Sequence, residues 1–291
     1  MLIFHYHFVV IALLVSIILT GIHTYLGYHV VRRGVIFVDL SLAQVAALGS
    51  SVGVLLGWGA EFPVQNYVLS LCFTLAGALL FVLFRSKREK VPIEALIGIT
   101  YAGAIALSLI VLEHSATGTE EIKEMLAGSL ITVSPKELLF IAGLYSAVGF
   151  IHWLARKPLL LVTENLEEAR NKGLKIWWWD FIFYATFGFV VTSSVKVAGV
   201  LLVFAFLIIP AVAAMIATEG TVQRIVFGWL FGIAGCILGL EFSLRLDWTP
   251  GPAIVTVFLL FLVCTWIGKL LMRKVSRGIP ATSLESKTGT L

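Results

Sequence analysis

Asp39, Ser41 and Gln44 stand together in the apolar segment GVIFVDLSLAQVAALG, directly after the pair Arg32 and Arg33. A carboxylate, a hydroxyl and a carboxamide are oxygen donors, and oxygen donors inside hydrocarbon serve a cation or proton path. An ionised aspartate there must meet water, a cation or a basic partner. With a helix starting near Val35, Asp39 lies ~6 Å inside the membrane and Gln44 ~14 Å inside, close to the midplane. Two readings stand side by side. Asp39 pairs with Arg33 or caps a helix end, or it lines a cation path with Gln44 and Ser41. The spacing of Asp39 and Gln44 turns them about 140° apart on a straight helix, which does not aim both at one ion. An interhelical hydrogen bond, the common role of a buried amide, also fits Gln44.

The histidines form no metal-ligand pattern. His5 and His7 are terminal, His23 and His29 share one apolar run, His114 and His152 are isolated, and HExxH is absent. His23, near midspan, is a candidate pathway residue or else a satisfied core histidine. The segment LGSSVG, from Leu48 to Gly53, offers serine hydroxyls without an acid-base partner at any recognisable spacing, and small-residue packing explains it better. The run VVTSSVKVAGVLLVFAFLIIPAVAA, from Val190 to Ala214, carries a lysine, Lys196, and a proline, Pro210. Charge is expensive in such a run and proline removes a helix donor, so a kink is expected at Pro210.

A polar stretch, LLLVTENLEEARNKGLKIWWWD from Leu159 to Asp180, is of a different kind. Thr163 followed by acidic residues and then by Arg170, Lys172 and Gly173 predicts a short capped helix whose charges suit its dipole. Gly173 is the expected left-handed terminus. The stretch reads either as an interfacial helix with an aromatic belt at Trp177 to Trp179, or as a docking element for a cytoplasmic partner.

The elements that must position these groups are membrane helices. With 59% hydrophobic and 13% charged residues and a mean hydropathy of +0.99, the 291-residue chain cannot bury its apolar surface in a soluble core. The expected fold is all-α and polytopic, a compact bundle of eight or nine spans near 8–31, 35–57, 65–84, 92–112, 137–155, 176–195, 197–217, 223–241 and 252–271. Around Lys196 either two helices turn tightly or one helix is long. The net charge of +4 does not indicate nucleic acid, because the basic residues fall between apolar runs. Arg32 and Arg33, Arg85 to Lys90, Arg156 to Lys175, and Lys269 to Lys274 occupy alternate connections, which the positive-inside rule places in the cytoplasm with the C-terminus. Nine spans then put the N-terminus outside. Residues 1–275 are expected to form one transmembrane domain, and 276–291 read as a disordered cytoplasmic tail. Cys72, Cys236 and Cys264 lie in apolar runs and suit packing better than disulfides. The first run lacks a basic flank and a small-residue cleavage site, so it reads as a span and not as a signal peptide. Ala43, Ala47 and Ser51, and likewise Ala102 and Ala106, recur at four-residue spacing as close-packing faces.

Four segments in order resemble the permease subunit of bacterial ABC transporters for zinc, manganese or iron, the ABC-3 family. They are GYHVVRRGVIFVDLSLAQVAALGSSVG, LEEARNKGL, VKVAGVLLVFAFLIIPAVAA and LEFSLRLDWTPGPAIV. The resemblance implies a homodimeric importer in the bacterial inner membrane, driven by cytoplasmic ATPase subunits and supplied by an extracytoplasmic metal-binding protein. It implies a transported divalent metal ion, no permanently bound cofactor, and ATP bound by the partner; no Walker GxxxxGK[ST] sequence is present and no enzymatic activity is expected of this chain. Ala169, Arg170, Gly173 and Leu174 match the family's Ala-Arg-x-x-Gly-Leu coupling element. The second helix departs from the family pattern, since Leu40 stands at the aspartate position of Gly-Asp-x-Leu-x-His, Gln44 at the histidine position, and Asp39 one residue early. Asp39, Gln44 and His23 are the transit-path candidates. Two rival readings are an ABC permease for a metal chelate such as a siderophore or cobalamin, and an ion-coupled secondary transporter, for which internal repeats would be expected.

Overall fold

The computed structural model describes residues 3, 6–58, 63–86, 92–114, 128 and 130–277, with side chains to Met272. The described residues are helical throughout their regular structure. In chain order the helices are α1 His7–Arg33, α2 Val38–Leu55, α3 Pro63–Ser86, α4 Ile93–Leu112, α5 Pro135–Leu154, the short α6 Arg156–Glu164 and α7 Leu166–Asn171, then α8 Ile176–Ala217, α9 Thr221–Leu246 and α10 Pro250–Arg277. A 3-10 turn at Leu130–Thr132 precedes α5. Among the described residues, eight helices are long and apolar enough to cross a membrane.

The long α8 resolves the question raised at Lys196. Its 42 residues would extend ~63 Å, about twice the hydrocarbon thickness. The helix instead doubles back. His23 of α1 lies 3.1 Å from the Ser194 hydroxyl, and its ring centroid is 6.5 Å from that of Phe206. In a straight helix those two residues would stand ~18 Å apart along the axis. Lower down, Asp180 meets Arg33 at the end of α1, while Leu207 and Ala211 back against Gly27. Both ends of α8 therefore lie toward the Arg33 end of α1. The reversal occurs at Gly199, whose φ of 75° and ψ of 160° are non-helical and rarely reached by a residue with a Cβ. Pro210, where a kink was expected, keeps helical angles inside the descending limb. The break sits at glycine because a left-handed φ, and not the loss of one donor, is what a reversal requires.

Counting the limbs of α8 separately gives nine crossings, with the start of α1 and the start of α10 at the same face and the basic clusters at the other. Glycine lets the helices meet closely. A Cβ at Gly228 or Gly232 of α9 would overlap the Thr24 and Thr20 methyls of α1, and one at Gly27 would overlap the Leu207 carbonyl. Ala43, Ala47 and Ser51 are buried as their spacing predicts. Ala102 and Ala106 are exposed; α4 buries Ala104, Ser108 and Leu112 instead, because its position beside α2 selects the face. The helical structure of α10 runs through Arg277, past the expected boundary at 275, and the tail beyond it lies outside the described residues, as do His5 and residues 87–90.

Candidate functional site

The polar groups fall into two clusters. At the end of the bundle where α1 stops, α6 and α7 follow α5 with almost no connection. The cap of α7 is Asn165, whose side-chain oxygen accepts the Glu168 amide at 3.0 Å. Thr163, the cap expected from sequence, belongs to α6 and turns inward. The other end of α7 closes as expected. Gly173 adopts φ 73°, its amide donates to Arg170, and the Leu174 amide donates to Ala169 at 3.1 Å, a complete Schellman motif. Lys172 and Glu168 pair at 2.6 Å on the exposed face. Ala169 is fully buried, which makes it a packing residue beneath α7 and removes it from the docking face that its motif position suggested. Glu167, Glu168 and Asn171 are the exposed residues of this helix, and its C-cap, Lys172, is exposed beside them.

Inward from α6 lies a network that the sequence did not show. The Thr163 hydroxyl bonds His29 Nδ1 at 2.7 Å and accepts from Arg33 Nε at 2.9 Å. Arg33 Nη1 donates to Asp180 Oδ1 at 2.7 Å, and Arg85 Nη1 approaches the same oxygen at 3.3 Å. The side chains of Arg33 and Asp180 are almost wholly buried, and the Arg33 guanidinium lies 4.1 Å from the centre of the Phe183 ring. Beside Thr163, Glu164 Oε1 accepts from Tyr28 Oη at 2.6 Å and from Thr221 Oγ1 at 2.8 Å. The hydrogen bond from Tyr28, foremost, holds the Glu164 carboxyl below the usual carboxylate range. Glu164 is therefore ionised at neutral pH and stays so as pH falls into the range where a free carboxylate begins to protonate. Nearby, His152 bonds Tyr25 and Thr186 at 3.2 and 2.7 Å. The available sequence signal was the pairing of opposite charges at one membrane face: Arg33 ends the first span and Asp180 opens the sixth.

The second cluster is on α2. Arg33, committed to Asp180, is not the partner of Asp39. Asp39 sits in the first turn of α2, is 1% exposed, and neither carboxylate oxygen has a hydrogen-bond partner among the described residues. The Ser41 hydroxyl is likewise buried and unpartnered. Gln44 is buried at 3% exposure, one to two turns further along. His23 does not join them: Nδ1 faces the Leu19 carbonyl at 2.8 Å and Nε2 the Ser194 hydroxyl at 3.1 Å, so both nitrogens are engaged as in a core histidine. Ser194 also bonds Tyr145 at 2.6 Å, which ties α1, α5 and α8 together. Among the described residues no three His, Cys, Asp or Glu side chains gather closely enough to hold a metal within one copy. An apolar groove of about 540 Å³ between α1, α5 and α9 lies elsewhere, lined by residues that include Tyr25, His152 and Trp229 but no carboxylate.

The model described as the ABC 3 transport family matches residues 5–268 of this chain. The manganese transport system membrane protein MntC of Halalkalibacterium halodurans is 24% identical over 246 residues, covering 84% of this chain and 82% of that protein. The high-affinity zinc uptake system membrane protein ZnuB of Haemophilus influenzae is 26% identical over 249 residues, covering 84% and 91%. Among solved structures, PsaBC from Streptococcus pneumoniae in complex with Fab superposes with a TM-score of 0.79 at 19% identity, covering 94% of this chain and 97% of that one. That similarity shows the fold.

Proposed function

The chain belongs to the ABC 3 transport family, and on that premise we propose that it is the membrane-spanning subunit of an ATP-driven importer of divalent metal ions, working as a homodimer in the bacterial inner membrane. Cytoplasmic ATPase subunits bind the exposed face of α7, and an extracytoplasmic binding protein delivers the ion. The observation that carries the metal reading is the Asp39 carboxylate, buried without a partner in the first turn of α2. A buried unpaired carboxylate is costly unless a cation or proton visits it. In a dimer, two copies of α2 supply the oxygen donors that one copy lacks.

The donor set bears on the substrate. Carboxylate and carboxamide oxygens suit a hard ion such as Mn²⁺, whereas zinc or ferrous iron prefers the imidazole that Gln44 replaces. We infer manganese as the preferred cargo. The ordered α7, ended by Gly173, gives a partner something rigid to push. Gly173→Val forces a β-branched residue into φ 73° and should leave the protein in the membrane while weakening ATPase association. Co-purification, with ATP-dependent Mn²⁺ and Zn²⁺ uptake in proteoliposomes, tests the reading. A wild-type chain that moves either ion without an ATPase defeats it.

A further inference from the structure

We propose that Thr163 and Glu164, the last two residues of α6, are the strut that carries the ATPase stroke from α7 into the membrane helices, an inference that rests on the docking role of α7 argued above. Only Asn165 separates α6 from α7, so a load on α7 is delivered at this point. Consecutive helix residues point about 100° apart, and this pair uses that angle to reach two different groups of helices. Thr163 holds His29 and Arg33 of α1, and through Arg33 it reaches Asp180 at the base of α8 and Arg85 at the end of α3. Glu164 holds Tyr28 of α1 and Thr221, the first residue of α9. Three membrane helices, α1, α8 and α9, thus stand within two contacts of these adjacent side chains, and α3 within three. The His29–Thr163 contact and the Arg33–Asp180 pair are out of water, unlike the exposed Lys172–Glu168 pair, and so resist displacement where a screened surface pair would yield; Glu164 itself is exposed and adds its two hydrogen bonds at the rim.

The load arrives where the architecture can move. Asp180 anchors the ascending limb of α8, and that limb joins the descending limb through the single non-helical residue Gly199. A displacement at Thr163 therefore tilts one limb about a one-residue joint while the Ser194 and Tyr145 contacts guide its upper half. Thr163 and Glu164 are positioning residues, touching neither nucleotide nor the transported ion. Their signature is loss of coupling with docking retained.

The experiment uses the full chain with its ATPase in proteoliposomes, scoring ATPase co-purification, ATP hydrolysis and uptake of Mn²⁺ and Zn²⁺ in parallel. Thr163→Val removes the hydroxyl and keeps the shape; Tyr28→Phe removes one hydroxyl at the rim. Both should retain the ATPase and hydrolyse ATP at near the wild-type rate, while ions moved per ATP fall about tenfold, the scale of a typical coupling energy. Thr163→Ser should restore coupling. Tyr28→Phe combined with Glu164→Ala should be no worse than Glu164→Ala alone, since both act through one contact. If Thr163→Val fails to reach the membrane, the Tyr28 and Glu164 variants decide alone. Wild-type ions per ATP in those variants overturns the strut, as does loss of ATPase co-purification, which would make the pair a docking contact. Failure of the wild-type chain to bind an ATPase overturns the transporter reading itself.

Discussion

The two polar clusters of this bundle are built on opposite terms. At the end of the bundle where α1 stops, Arg33, Asp180, Arg85, Thr163 and Glu164 each have at least one polar partner on another helix, although among the described residues Arg33 Nη2, His29 Nε2 and Asp180 Oδ2 have none and Glu164 is exposed. On α2, Asp39 and Ser41 are buried and none of their side-chain oxygens has a partner among the described residues. A buried network shared by several helices fixes their relative positions. Oxygens left without partners are costly to the resting protein, and a passing cation or a second copy would relieve that cost. The contrast separates a region suited to transmitting force from one suited to receiving an ion.

Disturbing the ion-paired cluster should have the largest effect. Asp180→Asn leaves the Arg33 and Arg85 guanidiniums without their shared anion, and breaking a buried pair in this way costs about 3–5 kcal/mol. Membrane abundance and the thermal midpoint in detergent should both fall sharply. An unchanged midpoint would mean that water reaches the arginines.

The unsatisfied cluster should respond in the opposite sense. Asp39→Ala removes a burial cost and breaks no hydrogen bond, so abundance should hold while metal uptake falls about 100-fold, a loss typical of disturbing a metal-binding shell. Normal uptake at normal abundance would place the path away from α2.

A smaller effect sharpens the chemistry of the same site. Gln44→His puts an imidazole one to two turns from Asp39 and should shift the Zn²⁺ to Mn²⁺ uptake ratio about tenfold toward zinc, as ligand softness dictates. An unaltered ratio in competition assays would show that Gln44 faces another helix. The smallest effect belongs to Lys196, which is exposed beside the Gly199 reversal. Lys196→Gln should change transport by less than about twofold, because a long amine reaching water contributes little. A severe defect would bring the tip of α8 into the conduction path.

Sequence and structure agree most closely at the level of elements. Apolar runs of membrane length defined the spans, since the capacity to be buried in lipid is a property of the local chain. Gly173 was legible for the same reason: a helix end needing a left-handed residue advertises it locally, and the observed φ of 73° follows. Thr163 was misplaced because Asn165 competes for the same cap, and only the fold shows Thr163 facing Arg33. Nor did local sequence separate the two readings of Asp39. The fold removes only the pairing of Asp39 with Arg33, through Asp180, 147 residues from Arg33 and brought beside it by the packing of α8 on α1.

What the sequence determined by itself was an all-helical membrane bundle and the oxygen character of its α2 donors, because hydrophobicity and ligand type belong to residues. Which groups are paired and which are left open was decided by tertiary structure alone. Pairing requires two side chains within about 3 Å, and helix packing, including the reversal at Gly199, sets that distance for residues far apart in the chain.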